Sequence, residues 1–407
     1  MYRSLSAFAL ISTFLPNLGM SQEGEFSLTT GAISGGFLTQ QDQFGFGAGK
    51  DNYFANLAYE DTTGDFRYRL SLGFDSDDGN VLFDDSYVEQ SFGHWTFGAG
   101  AKDQRWGPSR YASLVVSNNT RPIPGLFVSR EAAQSDSRWL SWLGEWYGDV
   151  LVGQLGEHTA PEDTKFIGMR LGAEPLPGLD IEFVRMVQFG GAGRDESFET
   201  FLKLLTAFGD PNSSNQANQL AGVGISYTLP ENIAPLRGYL QAVGEDASGI
   251  IPSCFMYLAG VELDTQIAGV PSVVTLEAVD TRIDTTPAGF CGPNTAYRNG
   301  FYQSGYSNFG ATMGVPIDTE GTSITLYGAH ELRELDLTWS VGHYDINQAN
   351  LTSHRLNPTR ADGVLATLGV SKTWNQTTLS GVIAYQDFDL TEAPKGVSLG
   401  VQLTHSF

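Results

Sequence analysis

The most regular feature of the chain is a two-residue alternation of apolar and polar positions. In the closing stretch VSLGVQLTHSF, Val397, Leu399, Val401, Leu403 and Phe407 share one parity, with only His405 out of pattern. Ser398, Gly400, Gln402, Thr404 and Ser406 share the other. Successive side chains of a strand point to opposite faces, so this spacing predicts a strand with one apolar and one polar face. FRYRLSLGF repeats it, with Phe66, Tyr68, Leu70, Leu72 and Phe74 against Arg67, Arg69, Ser71 and Gly73. Tyr53, Ala55, Leu57 and Tyr59 share a face in NYFANLAYE, as do Trp95, Phe97, Ala99 and Ala101 in HWTFGAGAK.

A soluble sandwich turns its apolar face inward. Here aromatics stand at the strand ends, as in the interfacial girdles of membrane barrels, and the other face carries Arg, Asn, Ser and Gly, which suit a polar lumen. The segments run to about 9–11 residues, the length a tilted strand needs to cross a bilayer. Clear segments fall near 53–60, 65–74, 83–92, 94–102, 138–147, 149–157, 165–173, 180–189, 218–228, 236–244, 305–314, 321–330, 335–345, 363–374, 378–388 and 397–407. Less regular ones fall near 26–49, 111–131 and 255–282. The fold class is therefore all-β, a transmembrane antiparallel barrel of roughly 16–18 strands. Strand parity counted from the two termini conflicts around 103–137 and 283–304, which predicts long segments folded into the lumen. SFETFLKLLTAF (197–208) breaks the alternation. Phe198, Phe201, Leu202, Leu205 and Phe208 recur at helical spacing. Ser197 precedes them as a cap, and Gly209-Asp210-Pro211 follows as a stop. A short amphipathic loop helix is expected there, packed on the wall or into the lumen.

The N-terminus fits this address. Arg3, the apolar run Ala7–Pro16 and small Gly19 and Ser21 predict a secretory signal peptide over 1–21, leaving 22–407 as the barrel. No cysteine stands at the cleavage site, which argues against an N-terminal lipid anchor. No segment is long and apolar enough for a helical span. The only cysteines are Cys254 and Cys291, and in an exported chain they either pair or remain as two thiols.

The formal charge of −23, from 23 basic and 46 acidic residues, argues against nucleic acid as a partner, because phosphate binding needs a basic footprint. No G-x-S-x-G or H-E-x-x-H motif and no Cys/His cluster is present. FGFGAGK (44–50) lacks the Ser or Thr that follows the lysine of a phosphate loop. No carboxylate pair stands out by its spacing. The expectation is a protein that is not an enzyme, with no cofactor and no metal.

One window departs from the acidic background: RWGPSRYASLVVSNNTRPIPGLFVSRE, 105–131. It gathers Arg105, Trp106, Arg110, Asn118, Asn119, Arg121 and Arg130. Guanidinium forks match carboxylates, amides match sugar hydroxyls, and an indole stacks on a pyranose face. The same groups also suit internal ion pairs that hold a plug in a barrel, and chemistry alone favours that second use.

This window resembles the Wzi family of capsule assembly proteins, through Arg105-Trp106-Gly107-Pro108, Ser117-Asn118-Asn119 and Arg121-Pro122-Ile123-Pro124-Gly125. WLGEWYGDVLVGQL (142–155), VQFGGAGRDESFETFLKLL (187–205), NQLAGVGISY (218–227), YLQAVGEDA (239–247) and YRNGFYQSGYSNFGATMG (297–314) continue the resemblance in order. It implies a barrel of about 18 strands, a lumen closed by infolded loops, and a lectin-like role in holding capsular polysaccharide at the surface of a Gram-negative cell. It adds Gln219, Arg298, Tyr302 and Tyr306 as glycan-facing candidates. It implies a monomer in outer-membrane lipid, and the aromatic C-terminus resembles the signal read by barrel assembly machinery. Two departures stand out. Strand-like sequence begins soon after residue 21, with no helical segment before the barrel, which points to a smaller plug. The acidity would also repel an anionic capsule if the loops carry it. The competing reading is a porin-like solute channel.

Overall fold

In the computed structural model, residues 24–38, 52–76, 81–135, 137–206, 217–230, 232–248, 251–286 and 291–407 are described, and the proposed signal peptide lies outside them. The alternating segments pair with their sequence neighbours into one antiparallel sheet of 19 strand segments. The two-residue Val81–Leu82 is a stub beside Phe66–Asp75, which leaves a wall of 18 strands. The first strand, Glu25–Ser34, pairs with the last, Gly396–Ser406, through Leu28↔His405, Ala32↔Val401 and Ser34↔Leu399. That seam closes the cylinder, so no strand edge is left to face lipid unpaired.

The alternation sorts as its period requires. Val397, Leu399 and Val401 are open on the outside, as are Leu70, Leu72 and Phe74, while Ser398, Ser71 and Ala58 are buried inside. One rim carries two-residue connections, at 64–65, 93–94, 177–178, 268–269, 333–334 and 375–376. Gly64, Gly93, Gly178 and Gly269 supply the positive φ that such tight turns need. The other rim carries the long connections, including 101–124, 155–164, 281–321 and 347–360.

Several segment boundaries differ from the periodicity. The stretch 305–314 is no wall strand: it lies inside the 281–321 connection and forms only the small ladder Ser307–Asn308 with Ala311–Thr312. Its alternation reflects packing on two sides within the lumen. The stretches 138–147 and 149–157 merge into one strand, Glu145–Gln154, preceded by a 3-10 turn at Ser141–Leu143. The irregular segment near 111–131 becomes the strand Gly125–Gln134 only in its last third, and the bulge between Arg130 and Ala133 breaks its period. The irregular 255–282 region resolves into Ile251–Ile267 and Val270–Asp280.

Both parity conflicts have the same cause. Segments 101–124 and 281–321 fold into the cylinder and build an apolar core there. Trp106, Leu114, Val115, Tyr297, Met313 and Val315 pack against inward wall residues Phe166, Met186, Leu220, Val243 and Met256. Each large side chain so enclosed contributes about 1.5–3 kcal/mol relative to exposure. The barrel is thus apolar on its outside and, in this sector, again on its inside, with polar rungs between.

The helix spans Phe198–Thr206. Ser197 caps it, its Oγ accepting from Thr200 N at 3.3 Å, and Lys203 pairs with Glu199 one turn back. Its predicted stop at 209–211 lies outside the described residues.

Candidate functional site

Residues 105–121 form the seam between the two infolded segments and the wall. Gly107 sits at φ 118°, and a Cβ there would come within 2.9 Å of Gln241 Nε2, so the turn after Trp106 needs glycine. Trp106 is 1 % exposed and lies over Gly168, where any side chain would strike the indole. Arg105 Nη2 donates to Ser109 O at 2.8 Å. Ser117, Asn118 and Asn119 run beside residues 312–314. Ser117 Oγ donates to Gly314 O at 2.6 Å, and Asn119 Nδ2 donates to Thr312 O at 2.8 Å. Asn308 returns the contact, its Nδ2 donating to Arg121 O at 2.8 Å. Arg121 holds Asp84 with both prongs and lies 3.9 Å over the Phe309 ring.

Several glycan candidates are thereby occupied inside the fold. Trp106, Tyr302 and Tyr306 turn no ring face to solvent. Tyr306 OH points at the Met186 and Asn218 carbonyls, 3.0 and 2.9 Å away, and Tyr302 OH donates to Gly190 O. Burial pushes the Tyr302 phenol up to about 12. Arg130 lies near the short-turn rim, stacked 3.7 Å over Trp146 and donating to the Trp146, Glu131 and Ala133 carbonyls around the bulge. Gln219 faces the outside of the wall, where its Oε1 accepts from Arg185. Arg110 is exposed and paired with Glu262 at 2.8 Å. These residues do not converge on one surface.

Two clefts remain. The first, about 330 Å³, lies between the inner wall and the infolded segment, and it brings Asn118 and Arg121 together with Asn56, Arg69, Asp75 and Asp84. Its charges are largely spent in ion pairs, Arg69 with Asp85 and Arg121 with Asp84.

The second cleft, about 370 Å³, opens on the long-loop rim. It is lined by Asn294, Thr295, Arg298, Asn299, Gly300, Gln303 and Ser353, a set of amides, hydroxyls and one guanidinium with no carboxylate. Arg298 alone of the sequence candidates lies here. Asp318 holds it from below. Asp318 is buried between Arg298 Nη2, at 2.9 Å, and Arg355, and it accepts from Thr312 Oγ1 at 2.8 Å. Burial by itself would raise its pKa, but the two guanidiniums outweigh burial and hold it at about 2. Beside it, burial lowers the pKa of His354. The neutral ring donates from Nε2 to Thr319 O and accepts at Nδ1 from Leu356 N.

Periodicity missed this framework, and it missed the wall glutamines. Gln188, Gln241 and Gln386 sit at inward positions and bond to infolded backbone at Gly305 O, Leu114 N and Leu38 N. A signal existed, in the form of glutamines on the inward parity of otherwise apolar strands. Cys254 and Cys291 form a disulfide, Cα–Cα 5.3 Å, tying the top of Ile251–Ile267 to the infolded segment. Among the described residues, no group of three or more His, Cys, Asp or Glu is placed to share a metal ion.

A family model described as capsule assembly protein Wzi matches residues 17–387. A 55.8 kDa protein of the cps region of Klebsiella pneumoniae is 36% identical over 166 residues, 40% of this chain and 33% of that relative, so the match spans about a third of its length. Among solved structures, Wzi of Escherichia coli superposes with a TM-score of 0.82 at 24% identity, covering 95% of this chain and 85% of that one. It is described as an outer membrane protein involved in group 1 capsule assembly and as a carbohydrate-binding β-barrel. The Pseudomonas aeruginosa barrel OccK5 (OpdH) matches at TM-score 0.53 and 9% identity, covering 95% and 97% of the two chains, a likeness of barrel fold.

Proposed function

The chain belongs to the capsule assembly protein Wzi family, and on that premise we propose that it is a non-enzymatic outer-membrane barrel whose long-loop rim binds and organises a capsular or other extracellular polysaccharide. The observation that carries this reading is the open cleft around Arg298. In a chain of charge −23 it is a recess with no acidic lining. Asn294 and Gln303 bring amide donors and acceptors suited to sugar hydroxyls, while Asn299 is held by Asn218, Phe301 and Tyr302, and Arg298, anchored by Asp318, lends the recess its positive charge. Residues 105–121 serve this surface indirectly, by fastening the infolded segments on which it is built. Short turns face the periplasm in barrels of this kind, which supports a cleft that opens outside the cell. Export through a cleaved signal peptide, folding by barrel assembly machinery, and a monomeric barrel in the outer membrane of a Gram-negative cell complete the reading.

A solute channel requires an open lumen. The core built on Trp106, Leu114 and Tyr297 stands across it.

The test compares polysaccharide between cells and medium, with and without the gene. Polymer moving from the cell-bound to the free fraction at constant total synthesis is the expected result, and an unchanged partition overturns the proposal. Gly300→Phe refines the test. A Cβ at Gly300, on the cleft lining, meets no atom within 4 Å, so a larger side chain there can be accepted and should obstruct the cleft. This variant should reproduce the release while the barrel still reaches the outer membrane.

A further inference from the structure

The helix Phe198–Thr206 lies on the outside of the barrel. Register establishes this. Phe166, Gly168 and Arg170 point inward, against the lumen core, Trp106 and Asp149, so Ile167 and Met169 point outward. Glu182, Val184 and Met186 are likewise inward, so Arg185, Val187 and Phe189 are outward. Outward residues lower on the same strands are open, Leu171 at 52% and Phe183 at 60%. Ile167 and Val187 are nonetheless completely covered. Their cover is Phe201, Leu204 and Leu205 of the helix. Arg185, on this outer face, donates to Leu204 O at the helix C-terminus and to Gln219. A cation there complements the helix dipole and supplies a donor to a carbonyl that has no partner within the helix.

The exposed side of the helix has an apolar edge next to the exposed Glu199–Lys203 pair. Phe198 is 72% exposed and Leu202, one turn on, 41%. A helix that buries one apolar stripe on protein and presents another has a second apolar phase to meet. The surface it continues is the wall of Leu171 and Phe183 directly below, which is the face the barrel turns to lipid.

We propose that this helix lies at the lipid interface of the long-loop rim, with Phe198 and Leu202 among acyl chains, Glu199 and Lys203 toward the headgroups, and Arg185 screened from lipid beneath it. The helix extends the membrane-facing circumference of the barrel on one side only and fixes the orientation of residues 190–197 that lead into it.

The test uses the full chain reconstituted in phosphatidylcholine vesicles. Both native cysteines are in the disulfide, so Phe198→Cys and Leu202→Cys each add one thiol for a bimane label. Leu171→Cys marks the wall and Gln303→Cys the loop cleft. With lipids brominated on the acyl chain, quenching at positions 198 and 202 should match that at 171 and exceed that at 303 at least threefold. Quenching at 198 and 202 no greater than at 303, with ready quenching by aqueous iodide, overturns the proposal. Protection from both quenchers, with cross-linking between chains at 198, would identify a second copy as the occupant and overturn it equally. If one variant fails to assemble, the other still decides.

Discussion

Arg121 and Asp84 form a two-pronged ion pair, Nε to Oδ2 at 2.7 Å and Nη2 to Oδ1 at 2.9 Å, which joins the infolded segment to the connection after Phe66–Asp75. Its geometry depends on the planar guanidinium, which also stacks on Phe309. Arg121→Ala leaves Asp84 without these bonds and should destabilise the infolded segment by about 1–3 kcal/mol. Arg121→Lys keeps the charge but loses the fork and the stack, and should recover less than half. The double variant Arg121→Ala with Asp84→Ala should cost less than the sum of the two single ones. Bilayer conductance reads the outcome: noisier, larger openings are expected for Arg121→Ala than for the parent.

The inner core makes a second, stronger prediction. Trp106→Ala removes a fully buried indole, a loss of about 3–5 kcal/mol. The wall strands retain their own ladder, so far-UV circular dichroism should keep its strand signal. Near-UV signal and protease resistance of the 101–124 segment should fall.

Acid should loosen the loop framework in two stages. The Asp318 pKa is held at about 2, below its ordinary value, so its pairing with Arg355 and Arg298 is fully present above about pH 4 and lost as pH falls toward 2. The His354 pKa is lowered by burial, so the neutral ring stabilises the folded loop above its ordinary value near 6.5, and this is lost as pH falls through the lowered one. Hydrogen exchange across 312–320, followed from pH 7.5 to 2.5, should show both stages. Asp318→Asn should abolish the lower stage and His354→Gln the upper.

The disulfide should matter to the infolded segment more than to the wall. Cys254 and Cys291 close a loop with a sequence separation of 37, for which chain entropy predicts about 3–4 kcal/mol. Replacing both by serine should expose 281–321 to proteolysis and weaken polysaccharide retention, while the heat-resistant migration of the barrel on gels changes little.

The wall was legible in the sequence because a membrane strand answers to a local rule. Every second side chain meets lipid, and Leu70, Leu72, Val397 and Leu399 declare it without knowledge of any partner. Tight turns at Gly64 and Gly178 are local in the same sense. The helix at Phe198 could be read from its spacing, but which side of the wall it lies on depends on Ile167 and Val187, which are distant in sequence and covered only in the fold. The infolded segments were visible only as a failure of parity, because a residue inside the lumen packs on several sides and obeys no period. Trp106 and Tyr306 carry the chemistry of sugar stacking, and their sequence cannot show that the rings are enclosed. Arg298 and Arg121 are equivalent as residue types and each is held by one aspartate, yet Arg298 borders a cleft with no carboxylate lining and Arg121 one lined by Asp75, Asp84, Asp85 and Asp103. The alternation of the chain determined the barrel. Tertiary packing decided which polar groups satisfy one another and which remain open, because hydrogen bonds between segments far apart in sequence are settled only when the lumen is filled.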